Sequence, residues 1–184
     1  AVVDFAGFEE YHAGSRLIDK IRNRLAPHDS LEIVDLNQYT GIVKKGALTP
    51  AQSIDLARRI DADVVVTGTV SEYQIDRFSG LRVPYLFELP ETEVEVGLRY
   101  RVMWFSSADK TDMESFTEQI KGQGTLRLRL RLLPADPHDI TVSRSAAELA
   151  RVHEEALDDV VSNLLASMAS MFSWIPPDFA YASY

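Results

Sequence analysis

Residues able to do chemistry are scattered along this chain. Asp136, His138 and Asp139 are close enough to suggest metal ligands, or a hydrolytic pair of Asp136 with His138. Zinc centres need three or four converging ligands and no second cluster accompanies these, so a solvated turn is the simpler reading. His12, His28 and His153 stand apart in sequence. No phosphate-binding lysine loop, dinucleotide glycine fingerprint, nucleophile elbow or His-Glu-x-x-His helix is present. The expectation is therefore no enzyme, no cofactor and no metal.

Three further patterns have a functional and a bland reading. Thr67-Gly68-Thr69 offers backbone donors to an anion if it closes a strand at the end of an open α/β sheet. That is the basis of the alternative hypothesis, a small-ligand or nucleotide-binding domain using strand ends near Asp4 and Thr67–Thr69. A lone glycine without phosphate-binding companions points instead to close packing. Arg127, Arg129 and Arg131 form a basic row, but the net charge of −9 and pI near 4.9 disfavour nucleic acid as a partner. Glu154, Glu155, Asp158 and Asp159 read as the wet side of a helix. Aromatics in irregular, proline- and glycine-bearing segments are the candidate partner-binding residues: Phe78, Tyr85, Phe87 and Trp174.

The elements that would position these groups follow from periodicity. Ala1–Phe5 reads as a strand, and Leu17, Ile18, Ile21 and Leu25 share one side of a helix whose basic residues face water. Leu31–Leu36 reads as a second strand. Thr49-Pro50-Ala51-Gln52 is a helix start with a capping box. The helix runs into Val64-Val65-Val66, a continuous apolar strand of the kind covered on both faces in parallel sheets. From Thr92 to Trp104 alternation is clean, with Thr92, Val94, Val96, Leu98, Tyr100, Val102 and Trp104 on one face and Glu91, Glu93, Glu95, Arg99 and Arg101 on the other. A second alternating strand is expected over 125–133, placing Glu93 and Glu95 near Arg129 and Arg131. Between them, 106–121 reads as a polar link with room for a short helix. A final helix starts after Ser145, with Leu149, Val152, Ala156, Val160, Leu164 and Met171 on its covered side.

The expected fold class is α/β: one mixed sheet with a parallel β-α-β-α-β N-terminal part, added antiparallel strands, and helices packed on it. With 184 residues and ordinary composition, one domain over 1–184 suffices, carrying an insertion loop at 74–91 and an aromatic, proline-rich tail at 172–184. The absence of cysteine removes disulfides and thiolate chemistry. No apolar run is long enough to cross a membrane as a helix.

Ala1–Phe5, Leu31–Asp35 and above all Ala57–Val70 resemble bacterial envelope proteins related to the periplasmic domain of the curli secretion channel and to lipoprotein activators of penicillin-binding proteins. In that group a helix ends in alanine, a hydrophobic residue and Gly-Ala-Asp before a valine-rich strand closing on Gly-x-Val; here Asp61 replaces the glycine. The resemblance implies an anticodon-binding-like, TolB-N-like layered architecture. It also implies a non-enzymatic periplasmic, outer-membrane-associated lipoprotein, anchored through an N-terminal segment outside this sequence. Such a protein would serve as an assembly, scaffold or secretion-accessory subunit, with copies of itself and other envelope proteins as partners.

Overall fold

The computed structural model describes residues 5, 12–27, 34, 48–83, 87–106, 110–127, 131–132 and 146–172. The expected strands at 1–5 and 31–36 lie almost wholly outside these, as do Asp4, His28, Asp136, His138 and Asp139.

Helix α1 (Ala13–Leu25) buries Leu17, Ile18, Ile21 and Leu25, the face its spacing predicts. Helix α2 (Pro50–Ile60) begins at the capping box: the Gln52 amide donates to Thr49 Oγ1 and the Thr49 amide to Gln52 Oε1 at 2.9 Å. Thr49→Ala is expected to cost about 1 kcal/mol, read as a lower denaturant midpoint with unchanged slope. The helix stops at Asp61, whose φ of 51° is left-handed. Glycine is the usual residue for that conformation and aspartate among the tolerated ones, which accounts for Asp61 at the position where the resembled family carries glycine.

Strand β1 (Val64–Val83) follows, then β2 (Phe87–Phe105), β3 (Met113–Arg127), the short β4 (Arg131–Leu132) and helix α3 (Ala146–Met171). The sheet order is β1-β2-β3, with β4 also pairing β2, and every pairing among the described residues is antiparallel. This overturns the parallel β-α-β-α-β expectation. Val64, Val65 and Val66 pair antiparallel with Trp104, Met103 and Val102. Both faces of this run are covered. Val66 packs in the core beneath α1 and α3, while Val65 joins Leu56, Ala57, Ile60, Met103 and Phe105 beneath α2. Helices on both faces of an antiparallel pair produce the same apolar run as a parallel sheet, so the run does not report strand direction.

The expected loop at 74–91 is for the most part strand, a ribbon in which Arg77 pairs with Thr92 and Val83 with Phe87. The expected link at 106–121 is also strand from Met113 onward. Glu91 is in register with Arg127 and Glu88 with Arg131, while Glu93 and Glu95 are in register with Thr125 and Gln123. The alternation on β2 holds: Val94, Val96, Leu98 and Val102 are completely buried against α3.

Helix α3 lies directly on β3. A Cβ added at Gly122 would stand 2.4 Å from Val160 N, and one at Gly124 would stand 2.2 Å from Val152 O. Gly68 is likewise a packing position, with Phe5 Cδ1 at 2.9 Å and Arg99 O at 3.1 Å from such a Cβ. It sits in the middle of β1, not at a strand end, which removes the premise of ligand binding at Thr67–Thr69.

Candidate functional site

Two polar groups are locked between the sheet and α3. The Tyr100 hydroxyl donates to Glu118 Oε2 at 2.6 Å, the Ser167 hydroxyl donates to the same oxygen at 2.6 Å, and the two hydroxyl oxygens lie 2.7 Å apart. Burial, helped by Glu118, pushes the Tyr100 phenol above its ordinary 10, while the Ser167 and Tyr100 hydroxyls hold Glu118 below the usual carboxylate value. The phenol stays protonated and the carboxylate ionised, so no proton moves between them near neutral pH. Farther along α3, His153 Nδ1 is 2.8 Å from the Tyr73 hydroxyl, with the rings edge to face. Burial and the nearby Arg16 charge lower its pKa from 6.5. Both groups tie α3 to the sheet.

The acidic side of α3 is less wet than its sequence suggests. Arg16 pairs with Glu154, Lys20 bridges Glu154 at 2.6 Å and Asp158 at 2.8 Å, and Arg24 donates to Ser162 Oγ at 2.7 Å. These are the basic residues expected to face water. They join α1 to α3 because the two helices run side by side over the sheet. At the opposite end, buried Lys110 meets Asp63 at 2.5 Å and Asp61 at 3.7 Å, pinning the β2–β3 connection to the α2–β1 corner.

The sheet face opposite α3 is polar beyond the part α2 covers. Glu72, Gly97 and Lys121 are in register across three strands. Because Gly97 has no side chain, Lys121 reaches over it to Glu72 at 3.0 Å and also meets Glu95 at 2.5 Å. These contacts are largely exposed and set register more than stability.

The third exposed feature is the outer edge of β3. Among the described residues β3 pairs only with β2. Asn163 Nδ2 donates to Lys121 O at 2.8 Å and the Gln123 amide donates to Asp159 Oδ2 at 3.0 Å, both on the side away from β2. Odd-numbered residues of β3 therefore point their backbone groups outward, and α3 caps two of them. Ser115, Thr117 and Gln119 continue that row, exposed, uncharged and not capped by α3. Phe116, between them, is a large apolar side chain left 37% exposed.

The aromatics chosen from sequence fall elsewhere. Phe78 lies opposite Glu91 and Phe87 opposite Val83 and Leu132 on the ribbon, whereas Tyr85 and Trp174 are outside the described residues. The edge row went unnoticed because 106–121 did not read as a strand. Its signal was a run of alternating small uncharged polar residues at 115, 117 and 119. No group of three or more metal-capable side chains exists among the described residues, and no described helix is long and apolar enough to cross a membrane.

No protein-family model matches the chain, and no curated protein does. Among solved structures it is similar to a hypothetical protein of Chlamydia trachomatis, at 13% identity and TM-score 0.45, with 85% of each chain covered. It is also similar to rare lipoprotein B of Shewanella oneidensis, at 18% identity and TM-score 0.40, with 93% of this chain and 96% of that one covered. The second is by name a lipoprotein. The narrower relationships to the curli channel and to activators of penicillin-binding proteins are not confirmed. Such low identities and TM-scores transfer neither protein's role.

Proposed function

We propose that this protein is a non-enzymatic assembly subunit of the bacterial cell envelope that acts by docking through its sheet. The envelope setting, the periplasmic side of an outer membrane and the unseen N-terminal lipid anchor rest on the resemblance at Ala57–Val70. The docking mode rests on one observation: the outward backbone groups of Ser115, Thr117 and Gln119 form an edge that α3 leaves uncapped. Strand edges accept further strands through main-chain hydrogen bonds unless charge, proline or a bulge guards them, and this stretch has none of these at its outward positions. The polar groups under α3 fit the same reading, since each is committed to holding the helix down.

Thr117→Pro removes an outward amide donor that no strand pairing among the described residues uses, and Ser115→Lys places a guarding charge beside it. Both variants are expected to keep the wild-type circular dichroism spectrum and melt within a few degrees of wild type, while losing the envelope proteins that crosslink to and co-purify with the detergent-extracted wild type. Full retention of envelope assembly by both variants would remove the edge from the function.

A further inference from the structure

We propose that the face of the sheet beside α2 binds a phosphate group between the side chains of Arg99 and Arg101.

Two neighbouring rows of the sheet meet there. Thr67, Arg101 and Thr117 are in register across β1, β2 and β3, and Thr69, Arg99 and Gln119 form the next row. All six stand on the side opposite α3, because alternate residues share a face and Val65 and Met103, one step further along, lie in the cluster beneath α2. The donors are side chains in mid-strand, not amides at a strand end. The backbone edge of β3 has no part in the site.

Three of these side chains have donors to spare. Arg99 is exposed and has no hydrogen-bond or ion-pair partner among the described residues. Among the same residues Arg101 gives only its Nε, to Thr117 Oγ1 at 3.1 Å, which leaves the Nη donors of its guanidinium. Thr67 is 3% exposed, yet its hydroxyl has no hydrogen-bond partner among the described residues. A buried hydroxyl left unbonded costs free energy, and an acceptor brought by a ligand recovers it. The acids next along this face do not neutralise the pair, since Glu72 and Glu95 are both held by Lys121. Two like charges thus stand about 7 Å apart along one strand, uncompensated in a protein of net charge −9.

That spacing selects the ligand. A guanidinium nitrogen sits about 2.8 Å from the oxygen it donates to, so one oxyanion seated between the two side chains accepts from both. A carboxylate offers its oxygens in one plane. A phosphate spreads them over a tetrahedron, enough to take both arginines and the Thr67 hydroxyl on the floor of the sheet. Arginine with threonine and glutamine is also a donor set from which phosphates are commonly bound.

Nuclear magnetic resonance on the intact chain tests the site. Inorganic phosphate, titrated against chloride at equal ionic strength, is expected to shift the Nε–H signals of Arg99 and Arg101 saturably. The overall acidity repels anions in general, so saturation reports a site. Arg99→Gln and Arg101→Gln should each weaken binding at least about tenfold, the effect of one lost hydrogen bond to a charged group. Arg151→Gln, which removes an exposed charge from α3, should leave binding unchanged. Thr67→Val should weaken binding while melting in chloride no lower than wild type, because its hydroxyl has no bond to lose; a threonine with a purely structural role would melt lower and bind as before. No saturable response, or equal weakening by Arg151→Gln, overturns the proposal. Vesicles then separate the two sources of the group. Sedimentation with phosphatidic acid in phosphatidylcholine, lost in both arginine variants, assigns a lipid headgroup, whereas phosphate binding without sedimentation assigns a soluble phosphate ester. Sedimentation without the phosphate response is general charge attraction and also overturns the site.

Discussion

Replacing Gly124 by alanine is expected to destabilise the protein by about 3 kcal/mol, which for a chain of this size lowers the melting midpoint by roughly 6–12 °C. The added methyl meets Val152 O at 2.2 Å and Ala156 N at 2.9 Å, both backbone atoms of α3. Gly122→Ala meets Val160 N at 2.4 Å and Ala156 O at 2.5 Å in the same way. A flexible side chain turns aside at small cost, whereas a helix backbone moves only as a unit. Neither glycine has a left-handed φ, so alanine meets no backbone strain and gains about 0.4–1 kcal/mol from a stiffer unfolded chain, which the clash with the helix backbone outweighs. The mechanism is open to a rescue test. Val160 Cγ2 also crowds the Gly122 position, at 2.6 Å, so Val160→Ala would relieve a clash that was only side chain against side chain. The backbone contacts predict no rescue. Gln123→Ala, between the two glycines and exposed, is the matched control, expected within about 0.5 kcal/mol apart from its contact with Glu95. Calorimetry showing Gly124→Ala melting with the wild type would mean that α3 does not ride on β3.

The same close approach explains which parts of the fold the sequence could disclose. Helix α1, the capped start of α2, the alternation of β2 and the covered side of α3 each follow a periodicity that burial enforces, and each was readable. Strand β3 was not, because its covered face runs Glu118, Ile120, Gly122, Gly124 and Leu126. Where a helix backbone touches the sheet there is no room for large apolar side chains, so the alternation that marks a half-buried strand is replaced by glycine. Glu118 hides the pattern further by being a charged residue facing inward, satisfied by Tyr100 and Ser167, which are distant in sequence. Strand direction was lost for another reason. A valine run reports two covered faces, and α2 on one face with α1 and α3 on the other supplies both, whatever the direction of the neighbouring strand. The candidate site followed the fate of β3: once 113–127 is a strand, its outward row is evident, and before that it is polar connection.

Acid should unfold this protein in two separable stages, the first governed by His153. Its folded pKa lies below 6.5, chiefly through burial on α3, with Arg16 on α1 adding repulsion to a second positive charge. Tyr73 on β1 faces the ring, and Glu154, the next residue on α3, is engaged by Arg16 and Lys20. For a base whose folded pKa is depressed, the unfolded chain takes up the proton first. Stability is therefore complete above the unfolded value near 6.5 and declines as pH falls through it toward the folded pKa. Glu118 acts lower. Its folded pKa is below 4.5 because the Ser167 and Tyr100 hydroxyls favour the ionised form, so its contribution is present above that value and lost as pH falls further. The wild-type melting midpoint should drop first between pH 7 and 5, and again below pH 4.5. His153→Phe keeps an aromatic ring against Tyr73 and cannot take a proton, so it should flatten the first decline and leave the second. Glu118→Gln should do the reverse, lowering stability at neutral pH by about 1–2 kcal/mol through weaker hydrogen bonds and removing the low-pH step. Both groups fasten α3, so the first acid product should be a chain in which α3 has detached and the sheet persists. Hydrogen exchange at pH 5.5 would show it as early loss of protection over 152–168 while Val94–Val102 remains protected. Simultaneous loss in both segments would show that helix and sheet unfold as one unit, and would separate the His153 titration from the docking of α3.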